Sequence, residues 1–268
     1  MNIIEINNLS YSYNNKLVLD NIKFNIVKGS FTSIIGPNGS GKSTLVRILL
    51  GLLETDCDIT IDNIKLNKRN IYDIRKKIGI VFENPDNQFV AETVMDDIAF
   101  SLENMNYPKK EIKKRIYDVA DLLNIKDILE REPHTLSGGE KQLVALASAL
   151  ANNPSILIID EALTMMNQDM KDDVLDTLLK LNKVNELTIL NITHDSEELL
   201  YCDRILLINK GKLITYGLKD DVFEHDLVLS RNGIKLPFVV DLSLKLKLYG
   251  LVNKIYYDIE ELVDKIWK

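Results

Sequence analysis

A cationic surplus is missing from this chain. Its 33 Lys and Arg are outnumbered by 40 Asp and Glu, a formal net charge of −7, which argues against an extended nucleic-acid-binding surface. Long apolar runs are missing as well: none approaches the ~18–20 residues needed to span a bilayer. The opening Met1-Asn2-Ile3-Ile4-Glu5 has neither the basic region nor the apolar core of a secretory signal. The expectation is a protein that is soluble or is held at a membrane by a partner. Cysteine is scarce too. Cys57 and Cys202 sit in unrelated contexts without metal-ligand spacing, so two free thiols in a reducing cytoplasm are expected. No internal repeat and no low-complexity tract interrupts the 268 residues, whose 46% hydrophobic content is ample for one large domain, alone or with an appendage.

What is present centres on Gly36-Pro37-Asn38-Gly39-Ser40-Gly41-Lys42-Ser43-Thr44. The segment fits G-x-x-x-x-G-K-[ST]. Its glycines let backbone N–H groups turn inward around phosphate oxygens, Lys42 is suited to the β- and γ-phosphates, and the Ser43 hydroxyl to Mg²⁺. Context supports the match. Phe31 to Ile35 is a short β-rich apolar run, and Leu45 to Leu50 is apolar at helical spacing with Gly51 as a stop. Strand, glycine-rich loop and helix N-terminus form a site for a nucleoside triphosphate.

Elsewhere, Ile3 to Tyr13 alternates apolar and polar residues up to the turn-like Asn14-Asn15, which predicts an N-terminal strand and hairpin. Leu17 to Leu19, Ile22 to Val27, Ile59 to Ile61 and Ile78 to Phe82 are further strand candidates. Thr93 to Leu102 and Glu111 to Leu123 read as helices inside a mostly helical insertion, roughly residues 84–153. Ile156 to Asp160, Thr188 to Ile192 and Ile205 to Asn209 are β-rich runs separated by helical patterns. That alternation predicts an α/β fold with a largely parallel sheet covered on both faces. Lys210-Gly211-Lys212 joins two strands, and the rhythm changes after about Asp226. A stretch from Leu236 to Leu248 and a short amphipathic helix from Ile259 to Trp267 suggest a C-terminal appendage for packing or subunit contact.

Two further stretches carry chemistry. Ile156 to Ile159 is an apolar strand that runs into Asp160-Glu161. Beside a phosphate loop, the first carboxylate can hold Mg²⁺ and the second can position an attacking water. Leu136-Ser137-Gly138-Gly139-Glu140-Lys141-Gln142 starts a long helix, with Ser137 as its N-cap and two glycines that allow a ligand close to the helix N–H groups.

That heptapeptide resembles the signature motif of ATP-binding-cassette ATPases, and Gly36–Thr44 and Ile156–Glu161 fall in the order and spacing of the family's Walker A and B motifs. The resemblance implies a P-loop NTPase cassette over residues 1–225, with an N-terminal antiparallel β subdomain, a helical subdomain and a C-terminal extension over 226–268. It implies ATP and Mg²⁺ as ligands, with Ser43, Glu83 and Asp160 around the metal. Tyr13 matches the aromatic that stacks on adenine, and His194 matches the switch histidine at the γ-phosphate. It also implies head-to-tail pairing of two cassettes, in which Ser137, Gly138 and Gly139 serve the partner's nucleotide. The residues assigned to catalysis are then Lys42, Glu161 and His194.

Glu83-Asn84-Pro85-Asp86-Asn87-Gln88-Phe89-Val90, Asp96-Asp97-Ile98-Ala99-Phe100 and Gly233-Ile234-Lys235-Leu236-Pro237-Phe238 resemble the ATPases of energy-coupling-factor importers, closest to the first of two paralogues. By that likeness the partners are a second paralogous ATPase, a transmembrane coupling subunit and an exchangeable membrane subunit that captures a vitamin or metal ion. The location is the cytoplasmic face of the membrane, peripheral, with no nucleic acid involved. Three positions depart from the pattern: Glu83 where glutamine is usual, Asn167 in place of an aspartate (with Gln168 for proline), and Leu143 where arginine is common. The departures keep a second reading open, a nucleotide-binding regulatory subunit with weak hydrolysis. The ATPase of a conventional importer is a third reading, and a cassette protein acting on ribosomes or DNA would be expected to carry two cassettes or a long coiled-coil insertion, neither of which this sequence has.

Overall fold

In a computed structural model describing residues 1–267, the chain forms two sheets with helices around them. The N-terminal hairpin, β1 (Asn2–Tyr13) and β2 (Lys16–Val27), turns at Asn14 and Asn15, both in left-handed backbone conformation. β3 (Phe31–Ile35) leads through the phosphate loop into α1 (Lys42–Leu49). Then come β4 (Asp58–Ile61), β5 (Ile64–Lys65), α2 (Ile71–Arg75) and β6 (Ile78–Phe82). A helical section follows: α3 (Val94–Asn104), α4 (Lys109–Leu122) and α5 (Gly138–Ala151). The core resumes with β7 (Ile156–Asp160), α6 (Gln168–Asn185), β8 (Thr188–Ile192), β9 (Arg204–Asn209) and β10 (Lys212–Leu218). α7 (Lys219–Glu224), α8 (Asp226–Arg231), α9 (Phe238–Leu248) and α10 (Ile259–Ile266) end the chain.

The first sheet is antiparallel in the order β2-β1-β4-β5, and the second runs β10-β9-β3-β8-β7-β6, parallel except for β10. Strands buried on both faces are largely apolar, and β7 shows how that is used. Leu157 and Ile159 point into a core shared with α5 and α6, while Ile156 and Ile158 point to the opposite core with α1 and the antiparallel sheet.

The sequence expectations differ from the structure at two places. Leu17 to Leu19 and Ile22 to Val27 belong to one strand, because Asn21 takes a left-handed φ of 49° and absorbs an irregularity in pairing with β1. The short β5 and α2 carry too few residues for a periodicity to register. The helix ends follow local chemistry: Thr93 accepts the Asp96 N–H to cap α3, and Ser137 and Glu140 form a reciprocal capping box on α5.

Residues 226–267 lie on the cassette. Leu229, Val240 and Leu262 are fully buried in the same core as α5 and β7, Asn209 Nδ2 donates to Asn232 Oδ1 at 2.7 Å, and Glu197 Oε1 accepts the Phe238 N–H at 3.0 Å. Leu229→Ala should therefore cost about 2–5 kcal/mol and leave urea unfolding as one cooperative transition. A separate early transition would show instead that the C-terminal segment unfolds by itself.

Candidate functional site

Parallel pairing lines up four strand ends. Ile34 of β3 is level with Ile192 of β8, Ile192 with Asp160 of β7, and Asp160 with Phe82 of β6. The next residues of these strands are therefore presented along one sheet edge, about 14 Å wide at normal strand spacing. Along it stand the phosphate loop, Thr193-His194, Glu161 and Glu83. Ligands of open α/β sheets gather at such carboxyl ends.

The phosphate loop is wedged against the sheet. At Gly36, with φ of 153°, a Cβ would lie 2.0 Å from the Ile208 carbonyl oxygen, and at Gly41, with φ of 111°, it would lie 2.5 Å from Leu19. Both positions need glycine. Outside the loop, the Gly211 N–H donates to Ser40 O and the Asp20 N–H to Gly211 O, at 3.0 and 2.8 Å, so β2 and the β9–β10 turn hold it. Residues 38–44, Val18, Glu83, Asp160 and Glu161 line a cleft of about 350 Å³, within the range that small-molecule sites occupy.

Lys42 opens α1 and is only 5% exposed. Its Nζ donates to Gly36 O at 2.8 Å and stands 3.5 Å from Glu161 Oε1. The other oxygen of Glu161 lies 3.4 Å from His194 Nδ1, so one carboxylate is bracketed by an ammonium and an imidazole. Glu161 has a left-handed backbone, φ 53°, unusual for a residue with a side chain and costing about 1–3 kcal/mol. Its N–H bond to Ile192 O at 2.9 Å and the Thr164 hydroxyl bond to its own carbonyl at 3.0 Å hold it there. Asp160 is different. Burial, then the neighbouring Glu161 charge, and further Glu83, raise its carboxyl to about 6 against the pull of Lys42 and Arg47. Its Oδ1 is buried without a partner among the described residues.

Not every expected residue reaches this cleft. Tyr13 stands at the hairpin tip, 37% exposed, edge-on to Tyr11 at 5.1 Å, and does not line it. Ser137, Gly138 and Gly139 lie apart from it as well, the two glycines beside Met165 and Met170. Asn167 keeps a structural task, since its side chain accepts the Met170 N–H at 2.9 Å and caps α6.

Residues without an assigned role emerge beside these. Gln142, 1% exposed, reaches from the signature helix to the Glu83 carbonyl at 2.8 Å, and Lys141 pairs with Asp86 at 2.7 Å. Gln88 closes the same segment, accepting the Phe82 N–H at 3.0 Å. No three of His, Cys, Asp and Glu among the described residues form a group that could hold a metal ion, and no described helix is long and apolar enough to cross a membrane.

The family model described as ABC transporter matches residues 19–164. The energy-coupling factor transporter ATP-binding protein EcfA1 of Oenococcus oeni is 42% identical over 272 residues, covering 100% of this chain and 98% of that protein. Among solved structures, cbiO1 from Clostridium perfringens, described as part of the ABC transporter complex cbiONQ, superposes with a TM-score of 0.78 at 31% identity, covering 93% of this chain and 97% of that one. The ATP-binding cassette MJ0796, in a dimeric post-hydrolysis state with ADP and Pi, gives 0.73 at 30% identity, covering 80% of this chain and 98% of that one.

The Asp160 environment sets a sign for pH dependence. An aspartate held near 6 in the fold and near 3.9 when unfolded keeps its proton longer when folded, so stability falls as pH rises from about 4 to 6. In metal- and nucleotide-free protein, Asp160→Asn should raise the melting temperature at pH 7.5, a gain of about 1–2 kcal/mol after allowance for solvent. The gain should vanish near pH 4. An equal gain at both pH values would reject this account.

Proposed function

The chain belongs to the ABC transporter family, among the ATP-binding proteins of energy-coupling factor transporters, and on that premise we propose how it uses ATP and what it drives. It is the ATP-hydrolysing subunit of an energy-coupling factor importer, taking up vitamins or transition-metal ions. The observation that carries the reading is the meeting of Lys42, Asp160, Glu161 and His194 along one sheet edge. Its context is a near full-length likeness to EcfA1 proteins.

The backbone N–H groups of Gly39 to Thr44 and the dipole of α1 receive the β- and γ-phosphates, with Lys42 as the buried positive charge among them. Glu161 accepts a hydrogen bond from the attacking water and aligns it with the γ-phosphorus. His194, on the other side of that carboxylate, contacts the γ-phosphate. The donor set suits Mg²⁺. Asp160 has an unpartnered buried oxygen, and the exposed Ser43 hydroxyl and Glu83 carboxylate line the same cleft. Few protein ligands are expected where phosphates and waters supply the others. Bound there, the ion offsets the charge of the phosphoryl oxygens. Tyr13 is assigned to the adenine side, at the tip of the first sheet.

Ser137, Gly138 and Gly139 are far from their own chain's cleft, which supports a head-to-tail pair in which they close over a second cassette's ATP. The partners are a paralogous ATPase, a transmembrane coupling subunit and an exchangeable membrane subunit for substrate capture. The location is peripheral, on the cytoplasmic face. Residues 226–268 (Lys268 lies outside the described residues) form the extension of the 1–225 cassette and a dimer contact, in keeping with exposed Leu248, Tyr249 and Trp267.

Glu83 and Asn167 favour a second reading in which the two ATP sites are unequal, and at the limit this subunit regulates more than it hydrolyses. Glu161→Gln should lower single-turnover hydrolysis by at least about 100-fold while ATP affinity is kept, and Lys42→Ala should abolish nucleotide affinity. The matching glutamate change in the partner ATPase should cost a different factor. Equal losses from the two would remove the inequality, and full activity in Glu161→Gln would remove the catalytic assignment.

A further inference from the structure

His194 stands on the loop after β8 with its side chain 58% exposed, so its own packing does little to fix it. The residues around it do more. The first turn of α6 carries Lys171, only 8% exposed, and a cation this far from water requires compensation. It finds it across the gap between elements: Nζ is 2.6 Å from Asp195 Oδ2 and 3.7 Å from Glu198 Oε1. Glu198, 2% exposed, is held from the other side by Asn191 Nδ2 of β8 at 2.8 Å. Asp195 completes the loop, with its Oδ1 accepting the Glu197 N–H at 3.0 Å and its own N–H donating to Thr193 Oγ1 at 2.9 Å. Both neighbours of His194 in the sequence are therefore tied down, Thr193 by its N–H bond to Ile34 O of β3 at 3.3 Å and Asp195 to α6 through Lys171.

We propose that Lys171 is a positioning residue for ATP hydrolysis: by clamping Asp195 it fixes the loop that holds His194 against Glu161 and couples that loop to the start of α6. The inference rests on the assignment of His194 to the γ-phosphate given above. An ammonium suits the position because one point charge can serve two carboxylates at once. Without it, Asp195 and Glu198 would face each other with only neutral donors between them, and their repulsion would swing the loop and His194 away. α6 itself is capped by Asn167, on the segment that packs beside the signature glycines. A shift there, as a second cassette docks, would reach His194 through one side chain. Lys42 and the phosphate loop lie outside the clamp, so nucleotide affinity should be spared.

The test uses the full chain assembled with its partner ATPase and reads kcat and KM for ATP. Lys171→Met should lower kcat by about 10-fold or more with KM held within about twofold, and Lys171→Arg should restore most of the loss. Asp195→Asn should reproduce the defect, and the double variant should be no worse than the poorer single, since both cut the same link. A kcat for Lys171→Met within about twofold of the parent, a raised KM at unchanged kcat, or losses that multiply in the double variant would each overturn the clamp. If Lys171→Met does not fold, Asp195→Asn alone decides, with parental kcat overturning it. His194→Ala run in parallel separates the two layers. Full activity there would discard the histidine assignment and the clamp together, whereas loss there with none in the clamp variants discards the clamp alone.

Discussion

The site depends on strand register before it depends on any side chain. Ile34, Ile192, Asp160 and Phe82 lie in one row across β3, β8, β7 and β6, and a parallel sheet offers no tight turn that could correct a slip. A one-residue slip of β7 would exchange Leu157 and Ile159 with Ile156 and Ile158 between the two cores and carry Asp160 out of the row. The row therefore sets how close Glu161 stands to Lys42. Helical packing on one face and the antiparallel sheet on the other both serve that constraint.

Once the row is set, electrostatics sort the carboxylates. Glu161 is shared between Lys42 and His194, Asp160 is buried with an oxygen unpartnered, and Glu83 lies exposed at the cleft wall. Burial of Asp160, and after it the nearby charges of Glu161 and Glu83, cost stability in the free protein, as its raised carboxyl records. In the complex proposed above, Mg²⁺ would offset part of that crowding.

Much of this was legible in the chain. Gly36 to Thr44 between a strand and a helix, Asp160-Glu161 after four apolar residues, and Ser137 with Glu140 three residues later are local patterns with local causes, and each sits where those causes put it. The fused β2 was not legible, because Asn21 reads as a turn residue and only pairing with β1 shows that it is an irregularity within a strand. Gln142, Lys171 and Asp195 were passed over for a related reason. Their roles depend on which elements become neighbours, and a helix-borne lysine looks solvated until the sheet brings Asp195 and Glu198 beside it.

Asn167 shows how much of the family pattern can change without loss of structure. An asparagine accepts the Met170 N–H as an aspartate would, so α6 starts where it must and Lys171 stays in place to meet Asp195. What disappears is a negative charge at an exposed position beside the signature glycines. Local geometry and electrostatic communication are separable at this residue, and the chain has kept the first. In the pair proposed above, an asymmetry between the two ATP sites would need only the charge lost at Asn167, with this chain's cap and His194 loop unaltered.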